Sequence, residues 1–559
     1  MLPSLWLLAG LLVGPPTHPI DPWLATARPV ALAPEARCDD LGPLLEDLTS
    51  VAVVGLGESS HGTAEQFRLK QRLLVCLVRR GRPVRLALEA SWEAGRAMNA
   101  YVQGEPVDLV AELRRMPAWP WDVQEMVDLL GALRAARALG GEIDIHGVDR
   151  QLAVAEARAL RRWSPPPEVE AALAHLDDRH GFLRFSALAD AQNHLDALTA
   201  FSRTAPPGAR ELAVQVAEAA RLAASTRPEW FQTRDDVMAA NTLRLIEPDG
   251  IVALWAHNVH LARVLHLPGR HAAGGRLHEA LGPKLRLVAL GQGRGAFRAM
   301  DRRAGLAPAA LPIAPPPPTT LDAALLRAAP TAWLGDLRAA AGDAAAWLDA
   351  PQMTRWLPEQ FAPGDEADNA PAIRMRAGFD WLLFVADGTA ARGLPRVPFG
   401  TAPEPVRLVP GPLSITSGGA LAPGWRGPRG APLDPYALTA EGVSGACVEA
   451  LGTAGASDWV RLSLMLHAEP WRGRRVRLSA RVRAHGPEVG DEAHLVVRVM
   501  GEAGEAAEVA SAGPIRGPVA GQHTVAVAVP PSAALIEVWL VATGRSRACF
   551  GDARLDLVD

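Results

Sequence analysis

Lysine is nearly missing from this 559-residue chain: of 57 basic residues, only Lys70 and Lys284 are lysines. The arginine, alanine and proline bias in its place reads as genomic composition rather than function, but it makes either lysine conspicuous. An excess of charge of one sign is missing too. The net charge of -4 leaves no basic footprint for nucleic acid. Cysteine is scarce, 4 residues with no CxxC pair, so no thiol-based zinc site is suggested. Cys38 and Cys76 lie in the first part of the chain, whereas Cys447 and Cys549 fall near its end and would pair there in an exported protein. The alternative makes all of them small buried hydrophobes. No apolar run after the N-terminal block is long enough to span a bilayer. HExxH and G-x-S-x-G are both absent, which removes the usual marks of a helical zinc site and of a serine-nucleophile elbow. Gly291-Gln292-Gly293-Arg294-Gly295 has no acidic partner at the right spacing, so a nucleotide fold is not supported.

What is present divides the chain into parts. Its length exceeds one core, so two or three domains are expected. Leu5 to Val13 form a short apolar block, and Ala25-Thr26-Ala27 offers a small-residue cleavage site, although no Lys or Arg precedes Arg28. Residues 1–27 are therefore expected to be a leader that would export the protein to the periplasm or beyond; without it the protein would be cytoplasmic. From about residue 40 to 390, short apolar runs alternate with helical stretches: Val51 to Val54, Val84 to Leu88, Ile143 to Val148, Ile251 to Trp255, Leu285 to Leu290 and Trp381 to Val385. This predicts an α/β domain with a mostly parallel sheet and flanking helices. The long helical stretch from Leu152 to Ala224 predicts a helical subdomain over one end of the sheet. Pro315 to Pro318 read as a loop within the domain, and residues 391–435 as a Pro/Gly-rich linker. Residues 436–559 change to short alternating strands, as in an antiparallel β-sandwich.

Four of the apolar runs end in a polar group: Glu58, Glu89, Asp149 and His257. In a parallel sheet these ends share one edge, the edge where ligands bind. Such a carboxylate is more often a cap or loop ligand. Four together point to chemistry. Lys70 falls in the apolar stripe of the helix expected from Ala64 to Arg80, among Phe67, Leu73, Leu74, Leu77 and Val78. Its ammonium either snorkels to water or meets a carboxylate, with Glu58 and Glu89 the nearest partners. His61 is either a capping loop residue or a general base whose tautomer is fixed by Glu58 or Glu65. His257 and His260 could be metal ligands, oxyanion donors or packing residues. Ser59 and Ser60 near His61 lack the motif of a nucleophile.

At these residues the chain resembles the erythromycin esterase family. The matching landmarks are Gly57-Glu58-Ser59-Ser60-His61-Gly62-Thr63-Ala64-Glu65, Ala87-Leu88-Glu89-Ala90, Trp119 and Trp121 with Glu125, and Gly147-Val148-Asp149. They continue with Arg234-Asp235-Asp236-Val237-Met238-Ala239-Ala240-Asn241, Trp255-Ala256-His257-Asn258-Val259-His260 and Gly378-Phe379-Asp380-Trp381-Leu382-Leu383-Phe384. The resemblance implies hydrolysis of a macrolide lactone, hence antibiotic resistance, or of a related ester. Water would be activated by His61 with no metal or other cofactor. It implies Glu58 and Glu89 as site carboxylates and His257 and His260 as a second histidine cluster. Lys70 stands where the family usually has arginine, keeping the charge but losing the bidentate fork. His257, His260 or Lys70 is expected to stabilise the tetrahedral oxyanion, while Glu58 and Glu89 hold His61. Glu65, Trp119, Trp121, Asp149 and Arg234 are expected to bind substrate. The last domain resembles jelly-roll modules of bacterial enzymes, many of them carbohydrate-binding, through Trp471 to Ser479 and Phe550 to Leu555. That resemblance implies a glycan as a further partner. Two rivals stand beside the metal-free hydrolase: a zinc or manganese hydrolase using Glu58, His61, Glu89, His257 and His260, and an exported carbohydrate-binding protein without catalysis.

Overall fold

In a computed structural model of the chain, the structure describes residues 18–558 apart from 116–118, 151–152, 177–184, 186–187, 189, 226, 265–270, 302–306, 329–330, 365, 367–368, 395–424, 427–435, 441–444, 451–458, 487–490 and 502–505. The apolar runs become strands: β1 (Arg28–Pro29), β2 (Val53–Leu56), β3 (Val84–Leu88), β4 (Ile143–Gly147), β5 (Ile251–Trp255), β6 (Leu285–Asp301), β7 (Ala307–Ile313), β8 (Ala332–Asp336), β9 (Gln352–Met353), β10 (Gln360–Phe361), β11 (Ala372–Ile373) and β12 (Trp381–Gly388). The main sheet runs β1-β8-β12-β6-β2-β5-β3-β4. From β12 to β4 every pairing is parallel, while β8 is antiparallel to β12 and β1 to β8. Interior parallel strands are covered on both faces, which is why β2 and β5 are buried along their whole length. After β2 the chain crosses past β5 to place β3, and β6 lies on the other side. Such a reversal opens a crevice at the carboxyl ends of the strands.

The expected strands are all present, and the differences lie at edges. β6 continues to Asp301 rather than stopping at Leu290, because Gly291 to Gly295 form strand instead of a turn. At Gly295, with φ +110°, an added Cβ would meet the Gly388 carbonyl oxygen of β12 at 2.1 Å, so the strand bends there only with glycine. β7 and β10 pair with this extension. The helical subdomain forms around its own core of Leu160, Leu173, Phe185 and Val216, among others. At the N-terminus, Ile20, Trp23 and Leu24 are buried against the sheet, and the Trp23 indole donates to the Asp336 carbonyl at 2.8 Å. A leader cut at Ala27 would remove this packing; the apolar block from Leu5 to Val13 lies outside the described residues. Among the described residues, no helix is long and apolar enough to cross a membrane.

The segment after β12 stays with the α/β domain through Leu394, where Arg392 pairs with Glu125. Most of the expected linker lies outside the described residues, and Trp425–Arg426 already forms an edge strand of the last domain. That domain is two five-stranded antiparallel sheets packed as a sandwich. One is ordered 425–426, 459–467, 535–543, 493–500, 506–515; the other 436–440, 445–450, 547–558, 474–485, 517–529. Cys447 and Cys549 sit opposite each other in the second sheet and are joined, and Cys38 is joined to Cys76. The Cys38–Cys76 bridge was not expected from the sequence, where the two residues, 38 positions apart, form no spacing motif.

Candidate active site

The loop after β2 is built to approach other backbone closely. An added Cβ at Gly57 would meet Asn258 Oδ1 at 2.0 Å, and one at Gly62 would meet the Arg298 carbonyl oxygen at 2.0 Å. Only glycine lets the loop lie flat between β5, β6 and the β6 extension. Asn258 N donates to the Glu58 carbonyl at 2.8 Å, and its side-chain amide donates to the Leu290 carbonyl at 2.8 Å, stitching the ends of β2, β5 and β6. The Ser59 hydroxyl accepts from Gln66 at 2.8 Å, and Ser60 shares a hydrogen bond with Thr63 at 2.5 Å. Both serines are engaged in shaping the loop.

Glu58 is the hub. Its Oε1 bonds His61 Nδ1 at 2.7 Å, and its Oε2 accepts from Lys70 Nζ at 2.5 Å and from the Trp255 indole at 2.6 Å. Burial opposes its charge, but Lys70 and His61 overcome that and hold the carboxyl down at about 2. Lys70 is 1 % exposed, so the snorkelling alternative is closed. Its ammonium lies 3.9 Å from the Trp255 ring centroid, a cation–π contact beside an ion pair. Burial lowers Lys70 to about 8 in spite of Glu58. The His61 ring shares its Nδ1 with Glu58, has no protein partner at Nε2 among the described residues, and is 16 % exposed where Glu58 and Lys70 are shut in. Burial acts against its protonation, but the hydrogen bond and charge of Glu58, with Glu89 and Glu359, raise its pKa above the ordinary value.

A second network lies across the strand ends. Glu89 Oε2 accepts from the His257 backbone N–H at 2.8 Å, and Glu89 Oε1 accepts from Arg234 at 2.5 Å. Arg234 also grips Asp149 at 2.8 Å and faces His260 Nε2 at 3.1 Å, while His260 Nδ1 bonds Asp235 at 2.5 Å. Burial opposes the Glu89 charge, but His260 and Arg234 hold that carboxyl far below its usual range. His260 is raised by Asp235 and Glu89 against the effects of burial and Arg234. His257 is different. Its ring stands 5.1 Å from the His61 ring, burial drops its pKa to about 3, and its Nδ1 accepts the Val259 N–H at 3.3 Å. Nδ1 is then the acceptor, so Nε2 carries the proton, and this buried atom has no partner.

Glu58, His61, Lys70, Glu89, Asp149, Arg234, His257 and His260 thus converge, but not all face the crevice. Lys70 lies behind Glu58 and His260 is enclosed by Asp235, Glu89 and Arg234, so neither is aimed at a substrate oxyanion; Asp149 likewise serves Arg234. Glu65 is spent on the Thr389 N–H and hydroxyl, both at 2.7 Å, which ties the helix Ala64–Arg79 to the end of β12. Trp121 is core, edge-on to Trp255 at 5.6 Å. Trp119 begins a short 3-10 turn, and its side chain lies outside the described residues. Three participants were not singled out from sequence: Asp235, and Trp356 and Glu359 on the strap before β10. Trp356 stands edge-on to His257 at 6.3 Å. The strap carries no motif, and only its docking on the Ser59 carbonyl through Leu357 N at 2.7 Å brings it to the site. Among the described residues, no group of three or more His, Cys, Asp and Glu side chains is arranged to hold a metal ion. The carboxylates are already claimed by Lys70 and Arg234.

A sequence profile of the erythromycin esterase family matches residues 85–388, more than half of the chain. The protein belongs to that family. The matched span starts after Glu58, His61 and Lys70, which join it through the sheet. Among solved structures, a Bacillus cereus protein is similar over 68% of this chain and 100% of its own, with 20% identity and a TM-score of 0.59. A mutant of the erythromycin esterase EreC in its open conformation is similar over 66% of this chain and 98% of its own, at 16% identity and a TM-score of 0.52. At such identities these likenesses speak for the fold. The last domain resembles a xylan-binding domain of Paenibacillus barcinonensis Xyn10C, covering 28% of this chain and 99% of that one at 11% identity, with a TM-score of 0.21.

Proposed function

We propose that this family member hydrolyses a carboxylic ester or macrolactone with water activated by His61. The observation that carries the reading is the pair of imidazoles with opposite roles: His61, anchored on Glu58 with a free Nε2, and His257, a neutral ring with an unpartnered Nε2–H beside it. His61 Nε2 takes a proton as water adds to the carbonyl carbon, and the buried Glu58 stabilises the imidazolium. The His257 Nε2–H donates to the oxyanion, an interaction typically worth ~3 kcal/mol. The tetrahedral intermediate then expels its alcohol, which takes the proton from His61 as the C–O bond breaks. Lys70 and Trp255 hold Glu58, and Arg234 holds Glu89 and thereby the loop bearing His257.

The test is a panel of macrolides and simple esters, with mass detection of one added water. His61→Ala is expected to lose about 10²- to 10⁴-fold in turnover while retaining the fold. Near wild-type hydrolysis by that variant would end the proposal. The same assay before and after chelation separates it from a metal hydrolase: unchanged turnover supports the metal-free reading, and loss restored by zinc or manganese overturns it.

We also place the protein outside the cytoplasm, since all four cysteines are in disulfides, bonds that persist in oxidising compartments.

A further inference from the structure

The two sheets of the C-terminal sandwich share a core, but their outer faces differ. Along 493–500, Leu495, Val497 and Val499 point into that core, whereas Val496, with Trp539 and Val541 of the adjacent strand 535–543, points away from it. These three are nonetheless buried, with Met300 of β6 packed against them. The neighbouring strand 506–515 lies against β7 and the helix Leu109–Arg115. The α/β domain thus closes the outer face of this sheet. The described tryptophan side chains of the sandwich, Trp471 and Trp539, are both buried, so neither offers an open platform on which a neutral sugar could stack.

The second sheet turns a charged surface outward. Six of the twelve residues 472–483 are arginine, and no acidic residue stands between Glu469 and Glu488. Along 474–485 the pattern alternates: Val476, Leu478, Ala480 and Val482 enter the core, which leaves Arg475, Arg477, Ser479 and Arg481 on the outer face. All three of these arginines are exposed. Arg554 of strand 547–558, also exposed, stands opposite Ser479 and fills the one gap in the row. Outward side chains follow one another along a strand every ~7 Å, so the row runs for ~20 Å. At one end Arg481 pairs with Asp552 at 2.8 Å, and Arg554 pairs with Asp556 at 3.4 Å. At the other end Arg475 and Arg477 have no carboxylate partner among the described residues. On their far side lies 517–529, the edge strand of the sheet, which sets Ala528, Ala526, Thr524 and Gln522 opposite Arg475, Arg477, Ser479 and Arg481. Short uncharged side chains beside long cationic ones make a shelf along the row, open at the sheet edge.

We infer that this face binds a carboxylate-bearing polysaccharide, with the sugar chain on the shelf and its carboxylates on the guanidiniums of Arg475 and Arg477. A guanidinium holds a carboxylate through two parallel N–H···O bonds, a geometry that an ammonium does not offer. A polymer presents such groups in series, so the first contact raises the local concentration for the next. Thr524 and Gln522 supply a hydroxyl and an amide for sugar hydroxyls. The shelf carries no aromatic ring on which a nucleic-acid base could stack, and no apolar side chain larger than alanine to enter a bilayer. The whole chain has a net charge of -4, so its overall charge does not draw a polyanion. The attraction belongs to this face.

The experiment is isothermal titration calorimetry of the full-length protein with polygalacturonate, alginate, methyl-esterified polygalacturonate, a single-stranded oligonucleotide and phosphatidylglycerol vesicles. An acidic polysaccharide is expected to bind, and the methyl ester, which lacks the charge, is not. Replacing both arginines, Arg475→Gln with Arg477→Gln, should weaken binding about tenfold. Melting temperature should not move, since both side chains are exposed. A control, Arg96→Gln with Arg294→Gln, removes the same charge from exposed ion pairs of the α/β domain and should leave binding in place. The inference is overturned if neither acidic polymer binds, if the methyl ester binds as well as the acid, or if the two double variants lose affinity equally. Tighter binding of the oligonucleotide or the vesicles than of either acidic polymer overturns it too, and assigns the face to nucleic acid or to a membrane. Calorimetry reads binding alone, so the outcome is independent of whether the protein turns over an ester.

Discussion

At the residue scale, the site assigns two histidines opposite protonation behaviour by what surrounds them. His61 is raised because Glu58 bonds it and other carboxylates face it; His257 is lowered to about 3 because it is buried with only a backbone N–H on Nδ1. As a base, His61 works when deprotonated, so activity should climb with pH through a midpoint above the usual 6.5. The alkaline side belongs to Lys70. Above about 8 it loses its charge and leaves Glu58 buried without its cation, so activity should fall again. Lys70→Arg is expected to move that alkaline limb upward by more than one pH unit, measured on kcat/KM, because arginine stays protonated. Fitting the larger side chain into the closed site should cost about 1–3 kcal/mol of stability in a denaturant titration. For His257→Ala, kcat should drop about 10²- to 10³-fold with KM little altered, as for loss of one oxyanion donor. A change confined to KM would assign this ring to substrate binding instead.

At the scale of elements, the helix Ala64–Arg79 is the piece that carries Lys70 into place, and it is fixed at three points. Glu65 holds its start to the end of β12. Arg72, fully buried, bonds Asp40 at 2.6 Å and the carbonyls of Ala31 and Arg37. Cys76 is joined to Cys38. The N-terminal segment 30–40 is thus strapped to the back of the helix whose front faces Glu58. Cys76→Ser should lower stability by about 2–4 kcal/mol in a denaturant titration, through release of a 38-residue separation in the unfolded chain. An equal stability of the two proteins would mean that the bridge is not formed. The strap around Trp356 and Glu359 shows the converse: it has no periodic pattern and only two residues of strand, yet it lies over His257 and beside His61 because Leu357 and Glu359 use their backbone groups on the loop and on β6.

For the whole molecule, the family fold, the parallel sheet and the sandwich coexist with two disulfides, one in each domain. Protein isolated without reductant from its native host should show no alkylatable thiol by mass spectrometry and four after reduction under denaturing conditions. Free thiols in that sample would count against export.

The sequence by itself determined the strand runs, the division into an α/β part and a sandwich, and the edge to which Glu58, Glu89, Asp149 and His257 come. Apolar strands of period and length suited to burial leave little choice of sheet, and a parallel sheet has one carboxyl edge. Lys70 was legible as conspicuous because it interrupts an apolar stripe, but its burial over snorkelling was decided by the structure. Which group does what was decided only in three dimensions. The partner of Lys70, the enclosure of His260, the free Nε2 of His257 and the diversion of Glu65 to Thr389 all depend on side chains from segments up to hundreds of residues apart. Hydrogen bonds and charges act at a few ångströms, so a residue's role follows from its neighbours in space. The contact of the sandwich with Met300 belongs to the same class, since nothing in the order of residues 493–543 tells which face of a sheet another domain will cover.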